Sequence, residues 1–101
     1  MKRATKKSET YLEWFVSNIN TFKDVKSTEV LIRMDDTEYS CQLVSYRKKF
    51  SPLYDEYCLD LIYKNSCTMS ASESSKERCF EIMTKQMNGC YDGYTLTKEV
   101  A

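Results

Sequence analysis

Glu29-Val30-Leu31-Ile32-Arg33-Met34-Asp35-Asp36-Thr37-Glu38-Tyr39-Ser40-Cys41-Gln42-Leu43-Val44-Ser45-Tyr46 decides the fold. Val30, Ile32 and Met34 alternate with Glu29, Leu31 and Arg33. Beyond the aspartate pair, Tyr39, Cys41 and Leu43 alternate with Glu38, Ser40 and Gln42. A period of two is the signature of a strand with two different faces. With Asp35 and Asp36 as a two-residue turn, Met34 is set opposite Thr37, Arg33 opposite Glu38 and Ile32 opposite Tyr39. One side of the ribbon is then apolar, and the other sets unlike charges across from each other. The stretch therefore predicts a half-buried β-hairpin, running to about Tyr46.

Upstream, Thr10-x-x-Glu13 has the capping-box spacing. Tyr11, Leu12, Phe15, Val16, Ile19 and Phe22 recur at steps of three and four, with Trp14 at the edge of the stripe. This predicts an amphipathic helix ending near Asp24. Residues 26–28 link it to the hairpin. Downstream, Arg47 to Tyr54 reads as a loop, because Ser51-Pro52 disfavours helix and interrupts strand pairing. Tyr57, Leu59, Leu61 and Tyr63 then alternate with Glu56, Cys58, Asp60 and Ile62, which predicts a third strand. Ile62 is the exception on its polar side. Lys64 to Thr68 read as a connection. Ser70-x-x-Glu73 and Ser74-x-x-Glu77 both place a helix start in that window. Cys79, Phe80, Ile82, Met83 and Met87 supply its apolar side, and Asn88-Gly89 its stop. Asp92-Gly93 is a turn signal, after which residues 94–97 can add a short C-terminal edge strand.

The predicted fold is α+β, in the order α-β-β-β-α: a three-stranded antiparallel sheet with two helices packed on one face and the other face in water. Residues 1–7, with Lys2, Arg3, Lys6 and Lys7, read as a flexible basic tail, and residues 8–101 as one domain. The chain's 101 residues allow a single core. With 42% hydrophobic and 30% charged residues it is not a wholly disordered chain.

Formal net charge is zero, whereas nucleic-acid binders usually carry a basic surplus. The charge is nevertheless segregated. Arg47, Lys48 and Lys49 form a basic block, while Asp35, Asp36 and Glu38 form one acidic cluster and Asp55, Glu56 and Asp60 another. No apolar run approaches bilayer length, and no apolar stretch follows the basic N-terminus, so the expected location is cytoplasmic. Cys41, Cys58, Cys67, Cys79 and Cys90 lack C-x-x-C spacing, and the chain has no histidine to complete a zinc site. Free thiols are expected, with Cys41 and Cys79 packed as small apolar residues. Neither a metal nor a cofactor is expected.

The absence of histidine removes the commonest general base and any Ser/His or Cys/His dyad. Two glycines cannot build a phosphate-binding loop or a dinucleotide fingerprint. No catalytic residue is therefore assigned. Two stretches are candidate partner contacts. One is the acidic turn Asp35, Asp36 and Glu38, suited to a basic protein groove. The other is Tyr46-Arg47-Lys48-Lys49-Phe50, where cations can meet phosphates while a ring stacks on a base. Eight tyrosines favour a binding surface. Either a monomer or a homodimer fits, since a free strand edge or Ile62 offers a twofold contact.

The α-β-β-β-α order resembles that of double-stranded RNA-binding domains in topology. Where that family opens its second helix with lysines, Ser74-Ser75-Lys76-Glu77-Arg78 has a glutamate between two cations. A short, breaker-poor, charge-segregated chain without a catalytic motif also resembles in style the small inhibitors encoded by phages and mobile elements, anti-CRISPR proteins among them. The expectation is a non-enzymatic protein that occupies a surface of a macromolecular partner, such as a nucleic-acid-processing machine. The alternative is a nucleic-acid-binding domain that uses the basic-aromatic loop.

Overall fold

The computed structural model describes residues 10–49 and 51–100, and the side chains of these except 97–100. The expected tail at 1–7 lies outside the described residues. The element order is α1 (Tyr11–Asn18), a 3-10 turn (Ile19–Thr21), β1 (Phe22–Met34), β2 (Thr37–Lys49), β3 (Asp55–Tyr63), β4 (Ser66–Glu73), α2 (Lys76–Cys90) and β5 (Gly93–Val100). The strands form one sheet in the order β4-β3-β2-β1-β5 with every pairing antiparallel. The α+β class holds. The three-stranded sheet with both helices on one face does not: there are five strands, and the helices lie on opposite faces.

The hairpin has the register its alternation dictates, with Ile32 opposite Tyr39, Arg33 opposite Glu38 and Met34 opposite Thr37. Asp35 and Asp36 both take positive φ, 53° and 64°, the geometry that matches a two-residue turn to the twist of its strands. Lys64 and Asn65 repeat it, at 50° and 64°. They close a second hairpin, β3–β4, where the sequence pattern predicts only a connection. The helix start expected at Ser70-x-x-Glu73 is therefore displaced. Ser70 pairs with Asp60 inside the sheet, and the cap is Ser75, whose Oγ accepts the Arg78 N–H at 3.2 Å.

The α2 face carries the main core. Val30, Ile32, Cys41, Leu43, Leu59, Leu61 and Ala71 from the sheet meet Cys79, Met83 and Met87 from the helix. The period of four between those three α2 residues keeps them on one stripe. Chain connectivity requires α2 to carry the chain from edge strand β4 to edge strand β5. Its length, about 22 Å at the helical rise, matches the roughly 19 Å between the outer strands of a five-stranded sheet.

The even-numbered residues of β2 and β3 point the other way. There Tyr46 and Cys58 pack with Phe15 of α1, and Tyr11, Trp14, Phe22 and Val44 close around them. The Thr10 capping box forms as read, yet α1 ends six residues before Asp24. Phe22 has left the helix to pair opposite Lys48, with its ring 4.3 Å from that of Tyr46. The apolar stripe of the helix thus divides. Its aromatic row faces the sheet, while Leu12, Val16 and Ile19 remain exposed. Ile62 is buried on this same face, which accounts for the exception in the strand pattern. No helix among the described residues is long and apolar enough to cross a membrane.

Candidate functional site

The acidic cluster sits at the β1–β2 turn. Asp35, Asp36 and Glu38 are all exposed. Asp92, just before β5, joins them: its Oδ2 accepts the Asp35 N–H at 2.8 Å, and its own N–H donates to the Arg33 carbonyl at 2.9 Å. Four carboxylates therefore gather at one end of the hairpin, with Arg33 opposite Glu38. In the sequence, Asp92-Gly93 signals only a turn. The register that sets β5 beside β1 brings it here, and no local pattern announces that.

The basic-aromatic stretch is arranged otherwise. It continues β2 to Lys49, so alternation sends Tyr46 and Lys48 to one face of the sheet and Arg47 and Lys49 to the other. Tyr46 is buried. Arg47 donates from Nε to Asp24 Oδ2 at 2.8 Å and from Nη1 to Asp55 Oδ2 at 3.1 Å, and its guanidinium lies 5.8 Å from the centre of the Tyr57 ring. Asp24 reaches it because a bulge between Lys23 and Lys26 breaks the register and holds Asp24 at φ 53°. Lys48 Nζ stands 4.0 Å from Glu56 Oε1. Lys49 is exposed, and Phe50 lies outside the described residues. Two of the three cations of the block thus face carboxylates of the chain itself. The five-stranded sheet between two helices also departs from the order that resembled double-stranded RNA-binding domains.

The sequence pattern sets Asp60 in an acidic cluster on the polar side of its strand. The structure buries it: only 5% of its surface is exposed. Its Oδ2 accepts the hydroxyls of Tyr11 at 2.7 Å and Tyr46 at 2.8 Å, lengths typical of hydroxyl donors on a carboxylate. Burial, reinforced by the bond to Asp60, holds both tyrosine hydroxyls protonated well above the usual range. Oδ1 takes no hydrogen bond from any described residue. The helix end beside it is tied down by the β3–β4 turn. Asn65 accepts the Tyr11 N–H through its carbonyl and the Leu12 N–H through Oδ1, at 2.9 and 3.0 Å. Asp60 lines a cavity of about 620 Å³ together with Tyr11, Trp14, Tyr46, Lys48 and Ser70. The signal that could have located it was Ile62, an apolar residue sharing the nominally polar side of β3 with Asp60 and Cys58. It marks that side as covered.

A second cavity, about 750 Å³, opens on the α2 face among Val25, Leu43, Leu59, Phe80 and Leu96. Cys41, Cys58 and Cys79 are buried, Cys67 and Cys90 are exposed, and all five are free thiols. Among the described residues, no group of three or more His, Cys, Asp or Glu is placed to hold a metal ion. No protein-family model matches the sequence, and neither a curated protein nor a solved structure matches it.

Proposed function

We propose that this chain is a non-enzymatic binding protein that occupies a basic surface of a protein partner with the tip of its β1–β2 hairpin. The observation behind this reading is the turn itself. Asn-Gly is the pair that enters a two-residue turn of this hand with least strain, and non-glycine residues at positive φ are uncommon. Here two aspartates occupy both positions, and Asp92 and Glu38 bring two more carboxylates to the same end of the hairpin. Non-glycine backbone held at positive φ collects at functional positions, and here it carries the concentrated charge. A basic groove of the kind that nucleic-acid-processing machines carry is the complementary surface. Small inhibitors from phages and mobile elements act on such machines in this style. A cytoplasmic setting suits five free thiols, because disulfides are rare there.

Replacing the pair as Asp35→Asn with Asp36→Gly separates the two roles. The folded domain gains about 0.5–2 kcal/mol from relieved strain, a rise in Tm of roughly 3–10 °C. Partner affinity falls about tenfold or more, and its salt dependence flattens, as two contact charges are lost. The measurement is affinity capture from the native cell with nuclease-treated extract, wild-type and variant side by side, followed by titration of whatever is retained. A protein held equally well by the variant, with unchanged affinity, removes the tip as the contact. A partner lost on nuclease treatment points instead to nucleic acid.

A further inference from the structure

The cavity over Asp60 is unrelated to the hairpin tip. It lies roughly 25 Å away along β2, at about 3.4 Å per residue. We propose that it binds an organic ammonium cation, with Asp60 as the counter-charge and Tyr11, Trp14 and Tyr46 as an aromatic wall.

Asp60 is the one buried charged residue among those described. Asp24, Asp55, Glu56 and Glu81 each have a cation of the chain within 4.0 Å, and Asp60 has none among the described residues. Removing a carboxylate from water without a cation is costly. Two neutral hydroxyls meet only one of its oxygens, the other takes no hydrogen bond from any described residue, and Asp60 itself lines the cavity. A cation entering the cavity supplies a counter-charge that no described residue provides.

The three rings select the kind of cation. Tyr11 and Trp14 lie 5.4 Å apart, centre to centre, tilted by 42°, and Tyr46 brings its hydroxyl to the same carboxylate oxygen as Tyr11. Aromatic side chains clustered around a buried carboxylate suit alkylated ammonium groups, whose charge is spread over carbon and whose hydration is weak. A hard metal ion needs more oxygen donors than one aspartate provides. An anion is repelled by the carboxylate. Lys48 reaches the same cavity, but its ammonium already stands beside Glu56. The hydroxyls of Ser70 and Ser72, on the neighbouring strand, give the rim neutral polar contacts. The volume is in the range of small-ligand sites.

The same chemistry serves a free quaternary amine or a methylated lysine of a peptide. Trp14 is the chain's single tryptophan, so its emission reports on the site directly. The full-length protein is titrated with choline, with a trimethyllysine peptide, and with 3,3-dimethylbutanol, the uncharged carbon analogue of choline, at constant ionic strength. Saturable emission changes are expected with at least one cation, at roughly tenfold or greater preference over the carbon analogue. The tighter of the two cations identifies the source. Asp60→Asn is expected to abolish the preference for charge. Should that variant fail to fold, amide shifts of Ser70 and Ser72 in the wild-type protein on adding choline carry the test alone. No saturation with either cation, or equal binding of choline and its carbon analogue, overturns the proposal.

Discussion

Leu61→Ala is expected to cost about 3–4 kcal/mol and to lower Tm by roughly 15–25 °C. Leu61 has no exposed surface. It stands opposite Leu43 on β2 and Met69 on β4 and belongs to the cluster that α2 covers. Its side chain is clasped from both sides within the sheet and from above by the helix, so the hole left by truncation cannot close without moving one of three elements. A domain of this size has a total stability of about 5–15 kcal/mol, so the loss is a large share of the whole. Leu53→Ala is the control. That leucine is 91% exposed, in the bend before β3, and its truncation is expected to stay within about 0.5 kcal/mol. Urea melts of the two variants decide the matter. Equal midpoints would mean that α2 does not close over β3.

The contrast between these two leucines shows what the linear pattern carries and what it omits. Leu61 was legible as core because it keeps strict alternation with Tyr57, Leu59 and Tyr63. The first hairpin was legible to the residue for a related reason: a two-residue turn and a period of two leave no freedom in the pairing, since a slip of one position exchanges the faces. β4 was not legible. Ser66, Cys67, Thr68, Ser70 and Ser72 carry almost no hydrophobic contrast; of the strand's apolar residues, Ala71 is buried and Met69 partly so. Its turn uses Lys64 and Asn65 at positive φ in place of glycine, and serines followed by glutamates imitate helix starts. The side on which α1 packs was hidden as well. Cys58, Asp60 and Ile62 look mostly polar, yet an aromatic helix covers their side of the sheet. Asp60 fits there because Tyr11 and Tyr46, distant in sequence, bring hydroxyls to it. The acidic turn was visible as composition, whereas the approach of Asp92 depends on a strand pairing across the whole chain.

The burial of these hydroxyls and thiols makes the fold sensitive to alkali. Stability is expected to hold up to about pH 9 and then to fall steeply. Burial pushes the Cys58 and Cys79 thiols up to about 11 from an ordinary 9.0, and the Tyr11 and Tyr46 hydroxyls are held far above their ordinary 10.0. For each of these groups the unfolded chain releases its proton at a lower pH than the folded one does. Rising pH therefore favours unfolding. The contribution of the thiols is fully present below about pH 9 and is lost by about pH 11; that of the tyrosines begins to go near pH 10 and keeps falling beyond it. Urea midpoints across this range should decline together with the rise of tyrosinate absorbance, because Tyr11 and Tyr46 ionise as the structure opens. Tyr46→Phe tests the larger contributor. It is expected to lose about 1–3 kcal/mol at neutral pH, the worth of a hydroxyl donated to a buried carboxylate, and to show a shallower decline above pH 10, since one proton fewer is linked to unfolding. A wild-type midpoint that stays level from pH 9 to 11, or a variant as steep as the wild type, would show that the Tyr46 hydroxyl is open to water and that α1 does not seal the face of the sheet bearing Asp60.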